Sequence, residues 1–137
     1  MLIRIILFFH VLGAVGMGFY LVLPFFLQRM VLQNRSVLHV LYWLNFLSQW
    51  ILVVQLFTGG YLYTKGEYSA QWTILVALAY LAIGGFGGMF GYHIRHFLKS
   101  PRKYELEPWM RKVRFFGLLT AVSMFMIVVL MLFPYWI

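Results

Sequence analysis

The residues of this sequence best suited to chemistry are its four histidines, His10, His39, His93 and His96. A neutral imidazole binds metal ions and haem iron, and it changes charge near neutral pH. The chain has no cysteine and only three acidic residues, which excludes thiolate metal sites, iron–sulfur ligation and disulfides. The histidines are therefore the first candidates for ligands.

Two of these histidines are predicted to lie at similar depth in a membrane. His39 follows the start of the second apolar segment and His93 follows the end of the third, so both imidazoles belong to the same side. Neutral imidazoles on opposite faces of haem b would make an electron-transferring centre, with Arg35 and Arg95 as partners of the propionates. His96, one helical turn from His93, is a further metal-ligand candidate.

His10 lies inside the first apolar segment, on one helical face with Gly13, Met17 and Tyr20. A histidine within a membrane span is costly and needs a partner or a purpose. It either forms hydrogen bonds between helices or binds a metal ion, haem or a quinone. We therefore expect His10 to be a second site or the alternative haem ligand.

A polar stripe is predicted on the second segment, where helical spacing brings four residues within an arc of roughly 120°. They are Asn45, Ser48, Gln49 and Gln55. Such a stripe either fixes helix packing by hydrogen bonds or lines a path through the membrane. Copper is the alternative cofactor or substrate, and Met124, Met126 and Met131 offer soft thioether ligands for copper(I).

The segment from His10 to Gly18 reads His-Val-Leu-Gly-Ala-Val-Gly-Met-Gly, a histidine followed by small residues. This segment resembles the first helix of small bacterial four-helix membrane proteins, the CopD-like copper-resistance proteins and the HemJ-type protoporphyrinogen oxidases. The resemblance covers about 20 residues of the first segment. It implies that His10 is a haem or metal ligand.

The elements that must position these residues are membrane-spanning helices. Of the 137 residues, 64% are hydrophobic and 10% are charged, and the mean hydropathy is +0.87, which excludes a soluble globule. We predict a single all-α domain over 1–137, an antiparallel bundle of four transmembrane helices. The predicted spans are about 3–27, 37–57, 72–92 and 113–133.

Basic residues are concentrated in two of the three connections. Residues 28–36 and 93–112 carry eight lysines and arginines, whereas 58–71 carry only Lys65. By the positive-inside rule, the first and third connections are cytoplasmic and both termini lie outside. The formal charge of +8 suggests contact with anionic lipid and no role in nucleic-acid binding. Ser100-Pro101 and Glu107-Pro108 predict a helix that ends before Pro101 and another that begins near Pro108.

These features predict a multi-pass protein of a bacterial cell membrane that binds haem and acts in electron transfer or respiratory-chain assembly. If it is an enzyme, it is a haem-dependent oxidoreductase. Two alternatives stay open. One is a small transporter or channel, with copper as a possible substrate, that uses the polar stripe. The other is a non-catalytic subunit of a larger membrane complex, and a homo-oligomer is compatible with each function.

Overall fold

The computed structural model describes residues 1–100 and 105–133, and within these ranges all regular structure is helical. The helices are α1 (Leu2–Gly16), α2 (Phe19–Phe26), α3 (Arg29–Leu32), α4 (Arg35–Thr64), α5 (Ala70–Lys99) and α6 (Leu106–Leu132). Four helical segments of the described residues are long and apolar enough to cross a membrane: Leu2–Phe26, Arg35–Thr64, Ala70–Lys99 and Leu106–Leu132. The predicted all-α class is confirmed, and so is the presence of four helical segments that are long and apolar enough to span a membrane.

The first span differs from its prediction because it is broken into α1 and α2 at Met17 and Gly18. Around the break the backbone tightens, and the amide of Gly18 donates to the carbonyl of Val15, three residues back. Gly18 is a weak helix former, and Pro24 lacks the N–H that would bond the carbonyl of Tyr20. The break thus lies at Gly18, and Pro24 weakens the ladder a second time within α2.

The break gives the two halves of the first span different neighbours. α1 packs along α4 and has no buried residue, whereas α2 packs against α6 and buries Tyr20 and Leu23 completely. The glycine at 117 makes room for α2, because a Cβ there would lie 2.5 Å from Leu27 Cδ1. Arg114 of α6 adds a hydrogen bond of 2.9 Å from its Nε to the carbonyl of Leu27.

The remaining helices are longer than the predicted apolar spans, since each extends past its hydrophobic stretch at one end or both. α4 begins after Asn34, whose side chain accepts hydrogen bonds from the amides of Ser36 and Val37. α5 begins after Ser69, which caps it in the same way through the amide of Trp72. Such side-chain caps satisfy amides that have no partner within the helix.

The bounds of α5 and α6 agree with the helix ends that Pro101 and Pro108 predict. α5 ends at Lys99, before Pro101, and α6 begins at Leu106 with Pro108 in its first turn. Proline is tolerated there because the first amides of a helix have no intrahelical partner. Arg102 and Lys103, which contribute to the predicted cytoplasmic charge, lie outside the described residues.

Each end of the bundle is held by contacts between helices. At one end, Trp72 of α5 donates from Nε1 to the carbonyl of Leu130 of α6 over 2.7 Å. At the other end, Trp109 of α6 donates from Nε1 to the carbonyl of His93 over 2.9 Å. Between these ends the core contains Ile83, Phe90 and other fully buried side chains of α2, α4, α5 and α6.

Candidate functional site

The structure places His39 and His93 in different surroundings. The side chain of His39 is exposed on α4, beside the buried Leu38. The ring of His93 is half-buried and stacks on Phe116 of α6, with centroids 5.3 Å apart and planes 21° apart. Among the described residues, these two imidazoles make no ring contact with each other, because His93 faces α6 and not α4.

The other residues predicted around that pair have protein partners or are exposed. Arg35 donates from Nη2 to the carbonyl of Leu98 over 2.9 Å and so caps the carboxyl end of α5. Arg95 is exposed. The ring of His96 packs on Tyr92, with centroids 4.2 Å apart. Within residues 1–100 and 105–133, no group of three or more histidines or acidic residues is placed to hold a metal ion.

The methionines predicted as copper ligands are also divided between two environments. Met124 is buried in the core, whereas Met126 and Met131 are exposed on α6. A shared site for a soft metal ion needs thioethers that converge on one point. The structure thus gives the three sulfurs no common enclosed cavity in the described part of the chain.

The polar stripe of α4 takes part in two separate clusters, and the first is centred on Tyr20 of α2. We call Tyr20, Asn45 and Gln49 the Tyr20 cluster. The Tyr20 hydroxyl donates to Asn45 Oδ1 over 2.7 Å and accepts from Gln49 Nε2 over 2.7 Å. Asn45 Nδ2 donates to the carbonyl of Gly87 over 3.1 Å, and Gln49 Nε2 also lies 3.5 Å from the carbonyl of Ile83. This cluster therefore joins α2, α4 and α5.

Two glycines of α5 make room for the Tyr20 cluster. A Cβ at residue 91 would lie 2.5 Å from Asn45 Nδ2, and a Cβ at Gly87 would overlap Gln49 Nε2 and lie 3.0 Å from the Tyr20 hydroxyl. Real Cβ atoms do not approach that closely, so a Cβ at either position would force these amides to shift from their present hydrogen bonds. By contrast, a Cβ at Gly85 or Gly88 would have no neighbour within 4 Å. Ser48, which also belongs to the polar stripe, is buried near the Tyr20 cluster, with 3% of its surface exposed.

The second cluster joins α1 to the far end of α4. We call His10, Gln55 and Thr58 the His10 cluster. His10 Nδ1 lies 2.9 Å from Thr58 Oγ1, and Gln55 Nε2 donates to the main-chain carbonyl of His10 over 2.8 Å. The Gln55 amide fits because residue 13 is glycine, where a Cβ would lie 2.5 Å from Gln55 Nε2. Similarly, a Cβ at Gly59 would lie 3.1 Å from His10 Cε1.

The hydroxyl of Thr58 has one proton and more than one neighbour that can accept it. Thr58 Oγ1 lies 2.9 Å from His10 Nδ1 and 3.0 Å from the carbonyl of Val54. When the proton goes to Val54, Nδ1 carries a hydrogen and donates it to Oγ1, and the lone pair of the neutral ring lies on Nε2. When the proton goes to Nδ1, the hydrogen of the neutral ring lies on Nε2.

One acceptor atom of the His10 cluster has no hydrogen-bond partner among the described residues. This atom is Gln55 Oε1, which is buried. The ring of His10 is half-buried at the edge between α1 and α4, beside the side chain of Gln55. An unpaired acceptor in an apolar environment is costly. The Gln55 amide oxygen therefore suits a hydrogen-bond donor.

Sequence reasoning identified His10 and Gln55 but missed Thr58, which the apolar span 37–57 left in a connection. Thr58 follows Gln55 by three residues and so continues the same helical face. Tyr20 was placed on the face of His10, and the structure shows that it is the centre of a separate cluster with Asn45 and Gln49. Comparisons with family models, with curated proteins and with solved structures gave no match to this chain.

Proposed function

We propose that this protein binds haem b through His10 and acts in electron transfer or respiratory-chain assembly in a cell membrane. One observation carries the proposal: His10 Nδ1 lies 2.9 Å from Thr58 Oγ1, and in the tautomer that donates to Thr58 the lone pair of the ring lies on Nε2, where it would bind iron. Haem iron, when bound, would supply a reversible one-electron change within the membrane.

The surroundings of His10 would suit a histidine that holds haem iron. Histidines that bind metals donate the hydrogen of their other ring nitrogen to a protein group, which fixes the tautomer and the ring orientation. Thr58 accepts that hydrogen from His10, and Gly59 leaves space for the ring. Gln55 fastens the backbone of α1 at the ligand itself. The resemblance of residues 10–18 to the first helix of CopD-like and HemJ-type proteins agrees with this assignment.

We assign the ligand to His10 rather than to His39 and His93 because of where their rings lie. The ring of His93 is covered on one side by Phe116, and the exposed ring of His39 does not face it. Arg35 already donates to the main chain of α5. A shared haem at that end would require both helices to turn their histidines toward each other.

The proposal includes the membrane orientation predicted from charge. Helices α4, α5 and α6 and the first span form an antiparallel bundle, with both termini on the extracytoplasmic side. Arg29, Arg95, Lys99, Arg111 and Lys112 are exposed at the end that we place in the cytoplasm, where they meet anionic lipid. His10 then lies in the half of the membrane away from the cytoplasm.

A haem titration tests the proposal directly. Purified protein in lipid nanodiscs receives haem in steps, and absorption is recorded before and after dithionite. We expect a saturable Soret band that shifts on reduction. The His10→Ala variant should lose at least about 100-fold in haem affinity, because removal of the iron–nitrogen bond removes the specific contact.

Matched histidine variants serve as controls. His39→Ala and His93→Ala should bind haem like the unaltered protein, although each also loses one imidazole. Absence of a saturable band, or equal binding by the His10→Ala variant, would overturn the proposal. Metal analysis of the same samples separates copper from haem, because a copper site at His10 would give protein-bound copper without a Soret band.

A further inference from the structure

The carboxyl end of α5 and the start of α6 carry many more basic than acidic side chains. The whole chain has 11 lysines and arginines and only three acidic residues, one of which, Glu107, pairs with Arg29 over 2.9 Å. Arg35 and Arg114 donate to main-chain carbonyls. Within residues 1–100 and 105–133, the other cations of this region form no ion pair or hydrogen bond, and they are Arg95, Lys99, Arg111 and Lys112. Their charge has to be balanced from outside the chain.

His93 and His96 lie within this basic region, on the flank of α5 that borders α6. The ring of His93 stacks on Phe116, and its main-chain carbonyl accepts the hydrogen bond from Trp109. Lys112 lies between these two residues along α6, and the charges of Lys112 and His96 both act on the His93 ring. Helical spacing separates His96 from His93 by only about 60° around α5. Two imidazoles and one ammonium group therefore come together where α5 and α6 meet.

The nitrogens of these three side chains are open to a ligand. None of the three side chains is buried, and none forms a hydrogen bond with the described residues. An ammonium group offers three N–H donors, and each imidazole offers at least one. Glu107 is already paired with Arg29, and no carboxylate acts on the ring of His93. Several donors without an acidic neighbour suit an anion with several oxygens, and phosphate is such an anion.

The surface beside the three donors is apolar, which favours the phosphate of a lipid over a free anion. Tyr92 and Met89 of α5 and Phe115 of α6 are exposed. Gly85 is exposed as well, and a Cβ there would have no neighbour within 4 Å, so the surface of α5 is open at that point. Helical spacing places Met89 and Gly85 on the same flank of α5 as His96. An acyl chain can thus lie along this flank while its headgroup reaches the donors.

We propose that His93, His96 and Lys112 bind the phosphate of one anionic membrane lipid, whose acyl chain lies along the apolar flank of α5. The contacts of the two rings with Phe116 and Tyr92 hold the imidazoles in place for the headgroup. The site shares no residue with the His10 cluster, so it goes beyond the proposed haem function and does not depend on it. It also differs from the general attraction of exposed cations to an anionic surface, because it requires three particular donors.

Lipid titration followed by native mass spectrometry tests the site. Protein in a neutral detergent receives phosphatidylglycerol or phosphatidylcholine in steps, and the fraction of chains with one bound lipid gives each affinity. We expect phosphatidylglycerol to bind at least about tenfold more tightly, because choline neutralises the phosphate of the other lipid. Inorganic phosphate at millimolar concentration should not displace it. Equal affinities would overturn the site, and displacement by inorganic phosphate would overturn the assignment to a lipid.

Two adjacent cations of α6 provide a matched control. Lys112→Gln and Arg111→Gln each remove one positive charge from an exposed position, and about 100° of helix rotation separates the two side chains. Lys112→Gln should weaken phosphatidylglycerol binding about tenfold more than Arg111→Gln does, because only Lys112 contributes a hydrogen bond to the bound phosphate. Equal losses would show that charge attracts the lipid without a defined site, which contradicts the inference.

Phenylalanine substitutions test the two histidines without removing their rings. His93→Phe retains the stack on Phe116, and the bond from Trp109 survives because its acceptor is a main-chain carbonyl. His93→Phe and His96→Phe should each weaken phosphatidylglycerol binding about threefold or more, with phosphatidylcholine binding and thermal stability unchanged. His39→Phe, on α4, is the control and should bind like the unaltered protein. A folded double variant that binds phosphatidylglycerol as tightly as the unaltered protein would exclude His93 and His96 from the site.

Discussion

The Tyr20 cluster and the His10 cluster use the same helix in opposite ways. Around Tyr20, the side-chain amides of Asn45 and Gln49 bond to a hydroxyl and to the carbonyls of α5. Around His10, one amide oxygen, Oε1 of Gln55, has no partner among the described residues. Because buried polar groups are costly unless paired, the Tyr20 cluster is complete as a packing device, whereas the His10 cluster leaves one acceptor unsatisfied.

The two clusters also differ in how deeply they are buried. Tyr20 is fully buried where α2, α4 and α5 meet, so no molecule reaches its hydroxyl without separating the helices. His10 lies where only α1 and α4 meet, and its ring is half-exposed. Polar residues on one helical stripe therefore need not share one role, and a continuous path along the stripe is not required to explain them.

The largest expected effect comes from closing the space that the Tyr20 cluster needs. Gly87→Ala places a methyl group against Gln49 Nε2 and the Tyr20 hydroxyl, and such overpacking costs about 1–3 kcal/mol. Gly85→Ala is the matched control, since a Cβ there has no neighbour within 4 Å. The free energy of unfolding in mixed micelles measures both. Equal stability of the two variants would show that the cluster does not fix the packing.

The second largest effect is expected when Thr58 of the His10 cluster is replaced. Thr58→Val keeps the shape of the side chain and removes the hydroxyl that meets His10 Nδ1, so the tautomer with its lone pair on Nε2 loses its support. Loss of such a supporting contact typically weakens metal binding by about 10–100-fold. Thr58→Ser retains the hydroxyl and should bind haem within about twofold of the unaltered protein. Valine and serine variants with the same haem affinity would contradict the positioning role.

The sequence predicted the four spans because each is a long apolar run, a property that needs no knowledge of neighbours. It did not predict the break at Met17 and Gly18, because hydropathy does not change there. His10 and Tyr20 both face α4, as their shared predicted face implies, and their partners Gln55 and Asn45 lie ten residues apart, like His10 and Tyr20 themselves. Membership of a stripe follows from spacing, whereas the partner of each polar atom depends on the path of the neighbouring helix.

The predicted contact between His39 and His93 shows a second limit of sequence reasoning. Equal depth follows from the positions of two residues along their helices, but the direction of a side chain depends on how each helix is rotated about its axis. α5 turns His93 toward Phe116, and α4 turns Leu38 rather than His39 into the core. Depth alone therefore could not decide whether the two rings meet.

The smallest expected effect compares one substitution in both clusters. Gln49→Leu removes bonds to the Tyr20 hydroxyl and the carbonyl of Ile83, so we expect it to cost about 1 kcal/mol, at roughly 0.6 kcal/mol for each interhelical bond. Gln55→Leu removes one bond to the carbonyl of His10 but also removes the unpaired Oε1. Its net cost should be below about 0.5 kcal/mol, because the two changes have opposite signs.

The same pair of variants separates packing from binding when haem affinity is measured beside stability. Gln49→Leu should lower the free energy of unfolding and leave haem affinity unchanged, since its amide contacts no atom of the His10 cluster. Gln55→Leu should lower haem affinity and leave the free energy of unfolding nearly unchanged. Haem affinity falls because the α1 backbone that carries His10 loses its hydrogen bond to Gln55. If both variants lost stability and haem affinity in proportion, the two clusters would form one cooperative unit, and their different hydrogen bonding would not reflect different roles.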